Sequence, residues 1–148
     1  MLFFLTASFF LTALDFAAKR LALIYLKSGL EITLLPGVLK LIYGENTGAA
    51  FGILPAARWF LILLAALVLL VILWYVQKER CRSRLQYNGL IFIFAGALGN
   101  LIDRIFYGYV IDFINLPRWP TFNLADVFID IGAALLIIYL LKSAEKEN

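Results

Sequence analysis

Residues 59–76 of the chain read WFLILLAALVLLVILWYV, a stretch of eighteen residues without a charged side chain. A helix needs about 20 mostly apolar residues to cross the hydrocarbon core of a bilayer, so this stretch is typical of a transmembrane helix. Three further apolar stretches of comparable length lie on either side of it. Together they predict four spans, at about residues 2–26, 59–76, 85–102 and 122–141.

The composition favours the same conclusion. Hydrophobic residues make up 64% and charged residues 16% of the 148 residues, whereas a soluble domain has about 45–50% apolar and about 25% charged residues. Four spans of about 20 residues each leave too few residues for a separate soluble domain. We therefore expect residues 1–148 to form a single integral membrane domain.

The scarcity of some side chains excludes several kinds of chemistry. The chain has no histidine and one cysteine, Cys81, which removes most ligands for zinc, haem or an iron–sulfur cluster. It also removes the Ser–His and Cys–His pairs of nucleophilic catalysis. A net charge of only +3 does not favour nucleic acid as a partner. We expect no cofactor and no metal, so that any catalysis depends on carboxylates, lysine or serine.

The loop between the second and third spans is strongly basic. Residues 77–85 contain four basic side chains, Lys78, Arg80, Arg82 and Arg84, and short basic loops of this kind stay in the cytoplasm. Four spans with this loop inside place both termini in the cytoplasm as well. Residues 27–58 and 103–121 are then predicted to face outward.

The first outward segment contains more than a linker. Residues 31–35 and 38–43 are β-prone runs, and Pro36-Gly37 between them is a turn signal. We expect a small β-sheet on the outer membrane surface at about residues 30–55. The predicted fold class is therefore an all-α membrane protein with four transmembrane helices and a small outer sheet.

Ionisable side chains inside a membrane are costly, so each is a candidate for a function. In the first span, Asp15 and Lys19 are spaced i to i+4, share a helix face and can form an ion pair. We interpret these two residues mainly as a structural pair.

Two polar motifs have more than one explanation when each is considered alone. Residues 46–51, Asn-Thr-Gly-Ala-Ala-Phe, are explained equally well as an ordinary turn around Gly48. Residues 96–104 place Asn100 and Arg104 on one face at the end of the third span, where glycines allow a neighbouring helix to approach closely. Helix packing and a polar site both remain open for this motif.

Two aspartates are predicted to lie near the outer membrane surface. Asp112 is surrounded in sequence by apolar residues, so a desolvated carboxylate there needs a partner, and Asp126 lies at a similar depth. Two carboxylates that share a desolvated site cannot both ionise, and aspartic proteases use such a pair to activate water and polarise a carbonyl. A proton relay is the alternative, and Asp126 is also explained as the N3 acid of a helix capped by Asn123.

Taken together, the motifs resemble those of one family, the bacterial lipoprotein signal peptidases, also called signal peptidase II. The resemblance rests on five motifs in order: Asp15 to Lys19, Asn46-Thr-Gly-Ala-Ala-Phe51, Gly96-x-x-Gly-Asn-x-x-Asp-Arg104, Val110-Ile-Asp-Phe113, and Phe122-Asn-x-Ala-Asp126 running on to Gly132. It implies that Asp112 and Asp126 form the catalytic pair. It also implies that a further set of residues shapes or lines the site: Asn46, Gly48, Asn100, Asp103, Arg104 and Asn123.

The resemblance further implies the reaction and its setting. The expected activity is cleavage of the signal peptide from a prolipoprotein, before a cysteine that carries a diacylglyceryl group, and no cofactor is expected. The expected partners are such precursors and membrane lipids, and we expect a monomer. The expected location is the bacterial cytoplasmic (inner) membrane, with the active site at its outer face.

One residue departs from the pattern, and two other functions compete. Asp130 is an extra acid one helical turn inward from Asp126, and it either pairs with a base from span one or carries a proton. A small proton-coupled transporter is the main alternative function, because Asp15, Lys19, Asp126 and Asp130 are candidate relay groups. A Ser–Lys peptidase based on Ser28 and Lys27 is weaker, because adjacent residues do not face one another.

Overall fold

The computed structural model describes residues 1–48, 57–78 and 83–144. The described residues form four helices, α1 (Leu2–Tyr25), α2 (Arg58–Lys78), α3 (Arg84–Phe106) and α4 (Leu124–Ala144), and three strands, β1 (Ile32–Leu35), β2 (Leu39–Asn46) and β3 (Val110–Asn115). Each of these helices is long and apolar enough to cross a membrane. The predicted fold class, four transmembrane helices and a small sheet, is therefore confirmed.

Helix α3 is the centre of the bundle, and the other three helices pack against it. Small residues make the close approach possible. A Cβ atom at Gly96 would collide with the backbone of Ala125 in α4, and one at Gly132 would lie 2.6 Å from the carbonyl oxygen of Gly89 in α3. The contact at Gly96 places the second half of α3 directly beside the beginning of α4.

Apolar side chains cover the outside of the helices. Leu63 and Leu70 of α2 are 69% and 64% exposed, for example. In water such a surface would promote aggregation, whereas in a bilayer the acyl chains are its solvent. Thr6 and Arg20 of α1 are also exposed, whereas four other polar or charged side chains of this helix lie on its buried face: Ser8, Thr12, Asp15 and Lys19.

The predicted helix boundaries differ from the structure by at most four residues, and the start of α1 at Leu2 is as predicted. The largest difference is at α3, which was predicted to end at residue 102 and continues to Phe106. Asp103 and Arg104 therefore belong to the helix. Asp103 is buried against Lys19, and Arg104 donates hydrogen bonds to the carbonyls of Asn100 and Gly48. Helix α4 begins at Leu124 instead of residue 122, because Asn123 caps it.

The sheet contains a strand that the sequence did not predict. The expected sheet at residues 30–55 is correct for β1 and β2, and residues 49–56 lie outside the described part of the chain. The third strand, β3, comes from the segment between α3 and α4 and pairs antiparallel with β2, in the order β1-β2-β3. This pairing could not be inferred from local sequence because the two strands lie more than 60 residues apart.

Alternation along β3 gives its two faces different surroundings. Ile111 and Phe113 pack in one apolar cluster with Ala22 and Leu26 near the end of α1. Successive side chains of a strand point to opposite faces, so Asp112 points away from this cluster. The sheet thereby holds Asp112 towards the ends of α3 and α4.

Candidate active site

Asp112 accepts a hydrogen bond on each of its carboxylate oxygens. Asn123 donates its Nδ2 to Oδ1 at 2.6 Å, and Asn46 donates its Nδ2 to Oδ2 at 3.1 Å. Asn46 reaches this position because β2 pairs Gly44 with Asp112, so that Asn46 is a diagonal neighbour across the strands. Its Oδ1 accepts from the backbone N–H of Gly48 at 3.0 Å, which fixes the orientation of the amide.

Asp126 is held in the same way at the start of α4. Asn100 donates its Nδ2 to Oδ1 at 2.8 Å, and the backbone N–H of Asn123 donates to Oδ2 at 3.2 Å. In return, the N–H of Asp126 donates to Oδ1 of Asn123 at 3.0 Å. This reciprocal pair is a capping box, so the helix-cap explanation of Asp126 is correct, and the same carboxylate also accepts from Asn100.

Asn123 connects the two aspartates. Its side chain is completely buried, at 0% exposure, and its amide contacts Asp112 and, at 3.3 Å, Oδ1 of Asn100. The structure thus brings the two aspartates and their three asparagine partners, Asn46, Asn100 and Asn123, into one hydrogen-bonded cluster. These residues come from β2, α3, β3 and the beginning of α4.

The surroundings of Asp112 disfavour its charge. It is 3% exposed, and burial, followed by the nearby charge of Asp126, raises the pKa of Asp112 to about 7. The hydrogen bonds from Asn123 and Asn46 act in the opposite direction but do not outweigh burial. The surroundings therefore favour the protonated form of the Asp112 carboxyl group more than water does.

Lys19 lies directly behind the aspartate cluster. Its predicted ion pair with Asp15 is confirmed, at 2.9 Å, but Nζ is also 3.0 Å from Oδ2 of Asp103 and donates to Oδ1 of Asn100 at 3.0 Å. Lys19, Asp15 and Asp103 are all 0–1% exposed. The structural pair is therefore part of a larger buried charge cluster that contacts a site residue.

The two carboxylates of this buried cluster hold other elements in place. Asp15 accepts from the backbone N–H of Ala125 in the first turn of α4 at 2.9 Å. Asp103 accepts from the N–H of Ile111 in β3 at 3.1 Å. The residues that follow these two donors along the chain are Asp126 and Asp112, so the cluster sets the backbone beneath both aspartates.

Arg104 lies at the edge of the site. Its Nη2 donates to the carbonyl of Gly48 at 2.9 Å, and its Nη1 donates to the carbonyl of Asn100 at 3.4 Å. Arg104 therefore connects the end of α3 to the chain just after β2. Asp112 thus holds one end of the 46–48 segment through Asn46, and Arg104 holds the other end at Gly48.

Two cavities border the aspartates. The larger, of about 710 Å³, lies between α2, α3, α4 and residues 116–122, and Asn100, Arg104 and Asp126 are among its lining residues. The smaller, of about 280 Å³, borders Asp112 and the chain from Gly44 to Gly48. Three residues line both cavities, Asn46, Pro120 and Thr121. The two carboxyl groups thus face a space that is large enough for a peptide segment.

The described residues include no cluster of three or more His, Cys, Asp or Glu side chains arranged to hold a metal ion. The carboxylate oxygens of the two aspartates accept hydrogen bonds from amides. Within the described chain, the site thus offers a pair of acids with amide partners, which is an arrangement suited to acid–base chemistry.

Comparison with known proteins agrees with this arrangement. A family described as "Signal peptidase (SPase) II" matches residues 7–142. The chain belongs to the signal peptidase II family. The lipoprotein signal peptidase of Clostridium novyi (strain NT) is 42% identical over 137 residues, which are 89% of this chain and 93% of the relative. That of Halothermothrix orenii is 45% identical over 128 residues, 86% of this chain and 87% of the relative.

A solved structure agrees as well. It is described as a bacterial membrane enzyme determined by the in meso method at 2.3 Å resolution. It is 30% identical in sequence, has a TM-score of 0.93, and the match covers 100% of this chain and 93% of that chain. Signal peptidase II membership and four apolar helices place the chain in a bacterial membrane as a peptidase, and the proton-coupled transporter has no support.

Within this signal peptidase II fold, Asp130 does not form the ion pair considered from the sequence. Among the described residues no basic side chain lies within 4 Å of its carboxylate, and Lys19 of α1 is paired with Asp15 and Asp103 instead. Asp130 is exposed and lines the larger cavity. Neither the place of Asp130 in the cavity wall nor the contacts of Lys19 with α3 were predicted from the sequence.

Proposed function

We propose that the chain is an aspartic endopeptidase that removes the signal peptide from lipid-modified prolipoproteins, with Asp112 and Asp126 as its catalytic pair. The observation that carries this proposal is the hydrogen-bonded cluster in which Asn123 contacts both acids at the border of a large cavity. Its family and its relatives, which are lipoprotein signal peptidases, support the reaction and the substrate class.

The two acids have different tasks in the proposed mechanism. The Asp126 carboxylate accepts a proton from a water molecule as that water attacks the scissile carbonyl carbon. Asp112, which carries a proton, donates a hydrogen bond to the carbonyl oxygen and stabilises the negative charge that develops there. The proton taken up by Asp126 then passes to the leaving amine, and the C–N bond breaks.

The asparagines and the buried cation are proposed as positioning residues. Asn46 and Asn123 hold the Asp112 carboxyl group, and Asn100 holds that of Asp126. Asp15, Lys19 and Asp103 fix the backbone beneath both acids. The hydrogen bond from Arg104 to Gly48 joins the rim of the larger cavity, which Arg104 lines, to that of the smaller cavity, which Gly48 lines.

The larger cavity fits a substrate that is part peptide and part lipid. Apolar side chains from three helices line much of it, including Leu64, Val68, Ile93, Ala97 and Ile129. Acyl chains of a diacylglyceryl-modified cysteine can pass from the bilayer to such a surface at little cost, because lipid tails and these side chains are similarly apolar. The polar groups that position a peptide bond lie at one end of the cavity.

The experiment that tests this function compares two forms of one precursor. Protein purified in detergent is expected to cleave a diacylglyceryl-modified precursor before the modified cysteine, and to leave the unmodified precursor intact, because acyl chains in the apolar part of the cavity hold the scissile bond beside the two aspartates. Cleavage is followed by the release of the signal peptide, identified by mass. Equal cleavage of both forms would contradict the substrate assignment.

The proposed orientation has its own test. Because the basic loop at residues 77–85 is expected to be cytoplasmic, a reporter fused after Arg82 should behave as cytoplasmic, and fusions after Leu35 or Arg118 should behave as exported. Both termini would then be cytoplasmic and the aspartates would face outward. An exported reporter at Arg82 would put the site on the opposite side of the membrane.

The pKa of Asp112 predicts the pH dependence of cleavage. Because the proposed mechanism needs protonated Asp112, kcat/KM is expected to fall as the pH rises through about 7, by about tenfold per pH unit above that value. The measurement is kcat/KM for a lipidated precursor between about pH 5.5 and 9.

A variant provides an internal check on this pH profile. The hydrogen bond from Asn46 lowers the pKa of Asp112, so Asn46→Leu is expected to move the descending limb to higher pH. A profile that stays flat up to pH 9 would contradict the assignment of the proton to Asp112.

A further inference from the structure

The carboxyl group of Asp130 lies in the proposed substrate cavity without an assigned task. It follows Asp126 by four residues in α4, so both lie on one face of the helix, about 6 Å apart along its axis. Asp126 is in the first turn, and Asp130 is therefore deeper in the membrane. Both residues line the larger cavity.

The surroundings of Asp130 are poor in polar partners. The cavity at this depth is lined by apolar side chains, among them Ala65, Val68, Ile93, Ala97 and Ile129. A carboxyl group among apolar side chains and lipid carries a substantial desolvation cost unless it acquires a hydrogen-bond partner. Among the described residues, no lysine or arginine provides one within ion-pairing distance.

A lipid-modified precursor consists of acyl chains and a signal peptide, and only the signal peptide can supply a hydrogen-bond donor to Asp130. Acyl chains have no hydrogen-bond donor, so contact with Asp130 would bring them no gain. The signal peptide, in contrast, continues inward from the scissile bond and can present hydroxyl or amide side chains at the depth of Asp130. This step rests on the proposed function, which places the scissile bond at Asp112 and Asp126.

We propose that Asp130 is a specificity-determining residue that selects precursors with a hydrogen-bond donor side chain shortly before the scissile bond. The offset of about 6 Å from Asp126 corresponds to about two residues of extended chain or about four residues of helix. The preferred donor therefore lies two to four residues before the bond. An uncharged hydroxyl such as that of threonine suits a site that is otherwise apolar.

The test uses diacylglyceryl-modified precursors that differ at one position. Threonine and valine have nearly the same shape, so Thr and Val are compared in turn at the second, third and fourth residues before the scissile bond. The wild-type protein is expected to cleave the Thr precursor with a kcat/KM about tenfold higher at one of these positions, as one additional hydrogen bond in an apolar site allows. Asp130→Leu is expected to reduce this ratio to about one.

Two further variants make the outcome specific. Asp130→Asn keeps an uncharged acceptor and is expected to give an intermediate ratio, which remains measurable if the Leu variant does not accumulate. Ile131→Leu, at a neighbouring position that does not line the described cavities, is expected to keep the wild-type ratio. A ratio that is the same in wild type and in the Asp130 variants overturns the proposal, and so does equal loss of activity on both precursors.

The failure of this proposal can be distinguished from failure of the proposed function. If the wild-type protein cleaves all lipidated precursors without a preference for Thr at any of the three positions, the selectivity proposal alone is wrong. If it cleaves no lipidated precursor, the proposed function is wrong and the selectivity proposal falls with it.

Discussion

Asp126→Asn is expected to lower kcat on a lipidated precursor by at least about a thousandfold, and Asp112→Asn by a similar factor, because each deletes one titrating group of the pair. The folded protein should still accumulate in the membrane. Asparagine keeps the size of the side chain and one acceptor, so each variant loses about one hydrogen bond, which costs about 1 kcal/mol of stability. Single-turnover cleavage and the yield of folded protein in detergent measure the two effects separately.

The double variant provides the sharper test of a pair. If the two acids act as one unit, Asp112→Asn with Asp126→Asn should be little slower than either single variant, because removing one member already disables the other. Multiplicative losses would instead indicate two independent roles. Glu31→Gln is a matched control, since Glu31 is an exposed acid whose recorded partner is Lys40, and it should keep wild-type activity.

The same variants decide between two explanations of Asp126. Its capping box with Asn123 is present in the structure whether or not it takes part in catalysis. An active Asp126→Asn protein together with an inactive Asp130→Asn protein would mean that Asp126 serves only as a helix cap. The catalytic pair proposed here would then be wrong.

The sequence predicted best those features that follow from removing side chains from water. Four apolar stretches predicted four helices because nothing but a bilayer can solvate them, and the described residues contain helices long enough to cross a membrane at these positions. Asp112 stood out by the same reasoning, as a carboxylate within an apolar run that had to acquire partners. The partners themselves, Asn46 and Asn123, came from the family resemblance.

The remaining features depend on contacts between distant segments. Strand β3 was missed because its six residues form a strand only by pairing with β2, which is distant in the sequence. The contact between Lys19 and Asp103 was missed because the i to i+4 pair within α1 already satisfied the local rule. The burial of Lys19, at 1% exposure, beside two acids results from the packing of helices against one another. The glycines of α3 indicate close helix packing but do not indicate which side chains it brings together.

Lys19→Met is expected to be the most damaging substitution outside the catalytic pair. It removes the cation between Asp15 and Asp103, which lie 2.9 and 3.0 Å from its Nζ and are almost completely buried. Leaving buried charges without their partner typically costs about 3–5 kcal/mol. We therefore expect a sharp fall in the yield of folded protein and a lower thermal midpoint in detergent.

A matched control separates burial from charge. Lys27→Met removes another lysine, just after the end of α1, whose ion pair with Glu45 is 3.6 Å long, with side chains 52% and 41% exposed. Such exposed pairs contribute about 0–1 kcal/mol, so this variant should accumulate normally. If the two variants lose the same stability, the burial of Lys19 is not what makes it important.

Restoring the charge balance gives the decisive comparison. In Lys19→Met with Asp103→Asn, the uncompensated charge is reduced, so the stability should recover in part relative to Lys19→Met alone. Activity should not recover to the same extent, because Lys19 also donates to Oδ1 of Asn100, and Asn100 in turn donates to Asp126. Without Lys19, Oδ1 of Asn100 keeps only its 3.3 Å hydrogen bond from Asn123, so the amide that holds the Asp126 carboxylate is less firmly oriented. Equal recovery of folding and of kcat would show that Lys19 supports the fold alone, whereas recovery of folding without kcat would identify it as a positioning residue for the catalytic carboxylate.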